Sequence, residues 1–194
     1  MGTLPKTGLV FMSIALAFAA NPDQGFRPGA PDQYAHQAND GVTIGARRFD
    51  TMDATKPVFG KKADLNRYGV LPVLLVIQND RKQSLDLQNL EVKLEAADSH
   101  SIIPLTASEV PFIAVPVNQP TMGPKSPLSR RHKNPLNVPE ITTLAFAAKM
   151  LPAGDKASGF FYFRAASEPG MRLYVSGVYE RPSGKELLYF EIPL

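Results

Sequence analysis

Lys125 and the run Arg130-Arg131-His132-Lys133 are the residues of this chain whose types and spacing could do binding chemistry. Adjacent guanidiniums can grip carboxylates or phosphates through bidentate hydrogen bonds, and a lysine and an imidazole beside them widen the cationic surface. A cluster of this kind would take an anionic partner: an acidic cell-envelope polymer, a lipid headgroup or an acidic patch on an envelope protein. The plainer reading is a solvated charge run that keeps a loop soluble. Nucleic acid fits poorly, because no aromatic side chains interleave the cations and the formal net charge of the chain is only +3. Three further basic pairs, Arg47-Arg48, Lys61-Lys62 and Arg81-Lys82, matter only if the fold gathers them beside that cluster.

Catalytic chemistry is approached by elimination. The chain has no cysteine, which excludes a disulfide framework, a thiolate nucleophile and a cysteine-ligated metal. His36, His100 and His132 each stand alone, without the H-E-x-x-H spacing that puts two imidazoles on one helix face, so no metal site is expected. There is no G-x-S-x-G elbow, no phosphate-cradling glycine loop and no dinucleotide fingerprint, and hence no cofactor is called for. Glu91 and Glu95 share one face of a strand and read as solubilising surface. Carboxylates from distant strands could still converge in three dimensions.

The elements that would position these residues begin after residue 20. Lys6 precedes an apolar run from Leu9 to Ala20, and Ala17 and Ala19 supply the small side chains of a secretory cleavage site, with the cut expected after Ala19. The run is shorter than the roughly 20 residues that a membrane-spanning helix needs. Residues 1–20 are therefore expected to be a removed export signal, leaving a periplasmic or extracellular protein with no stable membrane span. If the leader is retained, it would hold the domain at the membrane instead. Residues 21–40 lack apolar periodicity and read as a flexible tether. Residues 41–194 read as one domain, interrupted at about 111–139 by a loop containing Pro111, Pro116, Pro120, Pro124, Pro127, Pro135 and Pro139.

The total of 18 prolines argues against a helical fold. Val42, Ile44 and Ala46 alternate with polar positions as in a half-buried strand. Residues 50–66 read as a loop, with a helical turn over 63–68 that stops at Gly69. Val70 to Gln78 is apolar on both faces and belongs in the middle of a sheet, with Pro72 near its start. Leu90 to Ala96 separates charged from apolar residues by parity, so one face of its sheet meets water. Ile102 to Leu105 reads as a short edge strand marked by Pro104. Ile141 to Met150 has helical spacing behind Pro139, with Asn137 as a cap, and a strand through Leu144 to Leu151 is the competing assignment. Ala157 to Ala165, Met171 to Tyr179 and Glu186 to Ile192 complete the strands, separated by turns at 167–170 and 181–185 that read as hairpins or near-hairpins. Seven or eight strands suit an immunoglobulin-like antiparallel β-sandwich with one short helix and a long proline-rich loop.

Gly69-Val70-Leu71-Pro72-Val73-Leu74-Leu75-Val76-Ile77-Gln78-Asn79, followed by Pro152-Ala153-Gly154 and Ser158-Gly159-Phe160-Phe161-Tyr162-Phe163, resembles uncharacterised secreted bacterial domains with immunoglobulin-like folds. In such domains a hydrophobic strand ends at an asparagine turn, and a Pro-x-Gly turn later feeds an aromatic strand. Pro111 to Pro116 is similar to a segment of periplasmic pilus chaperones, but the paired basic anchors of that family have no counterpart. The resemblance implies a fold more than an activity. The resulting expectation is a non-enzymatic binding or structural module of the bacterial envelope, with an anionic partner at the basic loop. The alternative is an envelope hydrolase or carbohydrate-active protein whose acids meet only in the fold.

Overall fold

A strand that is apolar on both faces needs cover on both sides, and Leu71–Asn79 receives it from two different layers. The computed structural model describes residues 25–61, 63–113, 134–187 and 189–194. In chain order the elements are β1 (Ala35–Asn39), β2 (Val42–Arg48), α1 (Met52–Phe59), β3 (Leu71–Asn79), β4 (Leu85–Asp86), β5 (Glu91–Glu95), β6 (Ser101–Ile102), β7 (Pro104–Leu105), α2 (Pro139–Thr143), β8 (Met150–Leu151), β9 (Lys156–Phe163), β10 (Arg172–Ser176), β11 (Tyr179–Glu180) and β12 (Phe190–Pro193). Seven of these strands have four residues or more.

The strands form an antiparallel β-sandwich. One sheet runs β1-β2-β3-β9-β7, the other β12-β10-β5-β6, and a small third sheet, β11-β4-β8, closes one end. β3 occupies the centre of the larger sheet, as its two-sided apolarity predicts. Its odd-numbered residues Val73, Leu75 and Ile77 face the second sheet, meeting Val92, Leu94, Leu173, Val175 and Ile192. Its even-numbered Leu74 and Val76, with Phe160 and Tyr162 of β9, face outward under Val58 and Phe59 of α1 and Ile141 of α2. Each fully buried aliphatic or phenyl side chain contributes roughly 1.5–3 kcal/mol, so the helical cover is a second core rather than decoration. It also accounts for the four consecutive aromatics of β9: Phe160 and Tyr162 fill the outer cluster, while Phe163 enters the inner one and Phe161 packs beside it.

Pro72 sits at the second residue of β3. The Phe49 amide donates to the Pro72 carbonyl at 2.8 Å. In a hydrogen-bonded antiparallel pair the return bond would come from the Pro72 amide, which proline lacks. Asn66 Nδ2 takes that place, donating to the Phe49 carbonyl at 3.0 Å. The proline is thus tolerated where β2 has just ended and a side chain can stand in for the ladder.

Several expectations are corrected. Residues 35–39, read as tether, form β1, which pairs with β2 from Ala35↔Ala46 to Asn39↔Val42. As an edge strand lying mostly in solvent, β1 carries no apolar alternation. Its pairing is set by the two-residue turn Asp40-Gly41, with φ of 48° and 74°, the left-handed geometry that favours Asp-Gly in hairpins. Residues 25–34 also pack on the fold: Phe26 lies 5.6 Å from the Phe160 ring, and the Pro31 backbone crosses so close to Gly45 that a Cβ there would sit 2.3 Å from the Pro31 carbonyl oxygen.

α1 occupies part of the expected loop at 50–66. Thr51 caps it by accepting from the Ala54 amide at 3.2 Å, and burial of Val58 and Phe59 holds its last turn despite Pro57. The expected turn before Gly69 is a 3-10 helix at Asn66–Tyr68. The helix starting at Pro139 stops at Thr143. The cap position is Val138, without a side-chain bond, so Asn137 does not cap it. The chain then extends, because the Phe160 amide donates to the Leu144 carbonyl at 2.8 Å and the Phe146 amide to the Phe160 carbonyl at 3.1 Å. Each competing assignment for 141–150 therefore holds over part of the segment. The turn at 167–170 is a crossing between sheets, since β9 and β10 belong to different ones. The turn at 181–185 is a hairpin, with Tyr179 bridged to Glu186.

Candidate functional site

Lys125, Arg130, Arg131, His132 and Lys133 lie outside the described residues, as does Ala19 with the leader. The stems of the basic loop lie within them. Val110 and Leu136 are fully buried in the outer cluster, and Asn134 Nδ2 donates to the Pro111 carbonyl across the base. Residues 110–111 and 134–136 are thereby anchored on the helix-covered side of the larger sheet.

Of the other basic pairs, Arg47, Arg48 and Arg81 are engaged locally, and Lys62 lies outside the described residues. Arg48 Nε lies 3.1 Å from the Asp50 carboxylate, and its Nη1 donates to the Glu168 carbonyl at 2.8 Å. The Arg47 guanidinium stands 5.2 Å over the Phe49 ring. Arg81 bridges two carboxylates at 2.5 Å each, Asp40 at the β1–β2 turn and Glu180 on β11. Arg81 hydrogen bonding holds the Asp40 carboxyl below its ordinary range, and bonds from Ser183 and then Arg81 do the same for Glu180. His36 is on β1 with Nδ1 2.9 Å from the Tyr34 carbonyl, and His100 is in an exposed turn. Glu91 pairs with Lys93 at 3.2 Å on the solvent face of β5, as its strand parity predicts. Among the described residues no three metal-ligating side chains come together, and no helix is long and apolar enough to cross a membrane.

The arrangement with most chemical potential lies where the two sheets approach at β1 and β12. Among the described residues neither strand has a ladder partner on that side. Gln37 Oε1 accepts from the Glu191 amide at 2.6 Å, so a side chain spans the gap between the sheets. A cleft of about 350 Å³ opens there, lined by Gln37, Asn39, Tyr189 and Glu191. Asn39 also lines an adjoining cleft of about 590 Å³ with Asp40, Lys185, Glu186 and Leu187. The two open clefts meet at Asn39 and are taken together as the groove.

Strand parity aims the side chains. On β10, Leu173 and Val175 point to the core, so Tyr174 points outward, and its register opposite Glu191 brings it to the groove. Tyr174 and Tyr189 stack with ring centroids 5.9 Å apart and planes 21° from parallel, and Tyr189 is 57% exposed. The neighbouring Glu191 carboxylate, and then partial burial, raise the Tyr174 phenol pKa; Arg172 and then Tyr174 hold the Glu191 carboxyl below its ordinary range. The surface is a fixed aromatic platform beside amide groups. Sequence reasoning missed it because Gln37 and Asn39 fell in the supposed tether, while Tyr174 and Tyr189 read as ordinary strand aromatics. The Asp40-Gly41 pair was the available signal for the hairpin that delivers the amides.

No protein-family model matches the chain, and no curated protein matches it. Among solved structures it is similar to a candidate lipoprotein of Bacillus subtilis (TM-score 0.40, 11% identity, 82% of this chain, 38% of that one) and to a functionally unknown protein of Listeria monocytogenes (TM-score 0.39, 12% identity, 82% and 80%). It is also similar to the secreted protein MPT63 of Mycobacterium tuberculosis (TM-score 0.35, 14% identity, 84% and 95%). The chain thus spans well under half of the Bacillus subtilis protein. Similarity at this level leaves the sandwich to stand on its own strand pairing.

Proposed function

We propose that the chain is an exported binding module of the bacterial envelope, read from an open surface rather than from an enclosed reaction site. The observation that supports this most is the groove at the sheet junction, where the exposed Tyr189 is held in place by Tyr174 and flanked by side-chain amides. Rigid tyrosines beside adaptable polar groups supply contact area at low entropic cost. Glycoside hydrolysis by paired acids would need two carboxylates facing across a site with one of them kept protonated. In this groove Asp40 and Glu191 are instead held ionised by Arg81 and Arg172. The apolar leader through Ala20 supports export, and the cationic loop residues Lys125, Arg130, Arg131, His132 and Lys133 form a second contact, for an anionic envelope partner. N-terminal sequencing of the protein recovered from outside the cytoplasm, joined to affinity co-purification from the native envelope, tests the reading. The expected result is a chain starting at Ala20 with an envelope component attached. A chain recovered intact from the cytoplasm contradicts it.

A further inference from the structure

The groove at the β1–β12 junction also indicates its ligand. This inference rests on the binding-module reading and names the substrate class of that surface. We propose that the groove holds an uncharged oligosaccharide, with one sugar ring seated on Tyr189.

Charge balance comes first. The groove carries the carboxylates of Asp40, Glu186 and Glu191 and the ammonium of Lys185. Arg172 pairs with Glu191, and Arg81 is shared between Asp40 and the neighbouring Glu180. The remaining pair, Lys185 and Glu186, is adjacent in sequence and cancels. With three cations against four carboxylates the surface offers nothing to an acidic ligand, and because three of those carboxylates are already held by arginine it rewards a ligand that hydrogen-bonds without carrying charge.

Donor and acceptor chemistry comes next. Gln37 spends its Oε1 on the Glu191 amide, and among the described residues its Nε2 has no acceptor. Asn39 lines both halves of the groove and presents an amide that can donate and accept at once. Paired donors and acceptors on short side chains match vicinal hydroxyls, which also do both. The exposed tyrosine ring offers an apolar face of the size of a pyranose ring's C–H face, and Tyr174 fixes its tilt before any ligand arrives. Asn39 belongs to both clefts, so a ligand held there has a second cleft beside the first, which suits a chain of rings more than a single one. An apolar peptide strand would need free backbone donors and acceptors along β12, and the Glu191 amide is already taken by Gln37.

The test is titration of the purified protein with β-1,4-linked hexamers of glucose and of N-acetylglucosamine, followed by calorimetry and by tyrosine fluorescence, which no tryptophan obscures. Saturable binding with Kd on the order of 1 mM or tighter is expected for at least one of them. Tyr189→Ala should weaken it about tenfold or more, a loss of roughly 1.4 kcal/mol, while Tyr189→Phe, which keeps the ring, should bind as the parent does. Binding that raised salt abolishes, binding unchanged in Tyr189→Ala, or no saturation with either hexamer overturns the proposal. Envelope association that persists without hexamer binding would remove this ligand and leave the binding-module reading standing, whereas hexamer binding without envelope association would do the reverse.

Discussion

The Asn79 side-chain amide donates to the Pro152 carbonyl at 2.9 Å. The same nitrogen lies within bonding distance of the Gln83 and Leu151 carbonyls, and Asn79 Oδ1 accepts from the Arg81 amide at 3.2 Å. The Asn79 backbone joins the same turn, its carbonyl accepting from the Gly154 amide at 2.7 Å. The end of the hydrophobic strand and the Pro-x-Gly turn, two separate motifs in the sequence, are thus a single buried polar knot. It fixes the turn that leads into β9 and orders the segment carrying Arg81.

Asn79→Ala should leave buried carbonyls without their donor and cost about 3 kcal/mol by chemical denaturation. Asn79→Asp should be worse at neutral pH, because a buried carboxylate would face the same carbonyls. Its protonated form can donate, so this variant should gain stability as pH falls from 7 to 5. A variant whose stability is unchanged or falls over that interval would contradict the knot.

Arg81 ties the β1–β2 turn to β11 through carboxyls whose pKa values are depressed. A depressed carboxyl contributes stability that is fully present above its unfolded pKa, about 4, and is lost as pH falls through the folded value. Arg81→Met should lower Tm by on the order of 5 °C at pH 7 and flatten the acid limb below pH 4. Equal losses at pH 7 and at pH 2 would show that the arginine acts through packing alone.

Tyr162 is buried, donates to the Ile141 carbonyl at 2.8 Å, and has its phenol pKa pushed well above the ordinary value by that burial. A raised phenol pKa means that stability is intact below the unfolded value, about 10, and falls as pH climbs past it. Tyr162→Phe should cost about 1–2 kcal/mol at pH 7 by orphaning the Ile141 carbonyl, while losing less on alkaline titration than the parent. A parallel alkaline decline in both proteins would place the titrating group elsewhere.

What the sequence made legible follows from periodicity. β5 was readable because Leu90 to Ala96 separates apolar from charged residues by parity, and β3 and β9 because Leu71 to Ile77 and Phe160 to Phe163 are unbroken apolar or aromatic runs of strand length, which burial on both faces demands. β1 was not, since Ala35-His36-Gln37-Ala38-Asn39 buries almost nothing and is held by backbone pairing, which leaves little trace in side-chain pattern. α1 was hidden by Pro57, whose cost is offset by the burial of Val58 and Phe59. The crossing at 167–170 looked like a hairpin because turn residues report a reversal and not which sheet receives the next strand. The same limit hid the groove, whose residues come from strands far apart in sequence and meet only at the sheet junction. The basic cluster itself lies outside the described residues, while Val110 and Leu136 on either side of it are pinned to the fold.

Retention on an anionic envelope fraction tests the central claim most directly. The purified protein is loaded at low ionic strength and eluted with rising salt, beside a variant in which Arg130, Arg131 and Lys133 are replaced by alanine. The account predicts that the parent is retained and released as the Debye length shrinks below roughly 8 Å near 0.15 M salt, and that the variant elutes much earlier. Equal retention of the two proteins, or retention indifferent to salt, would contradict it.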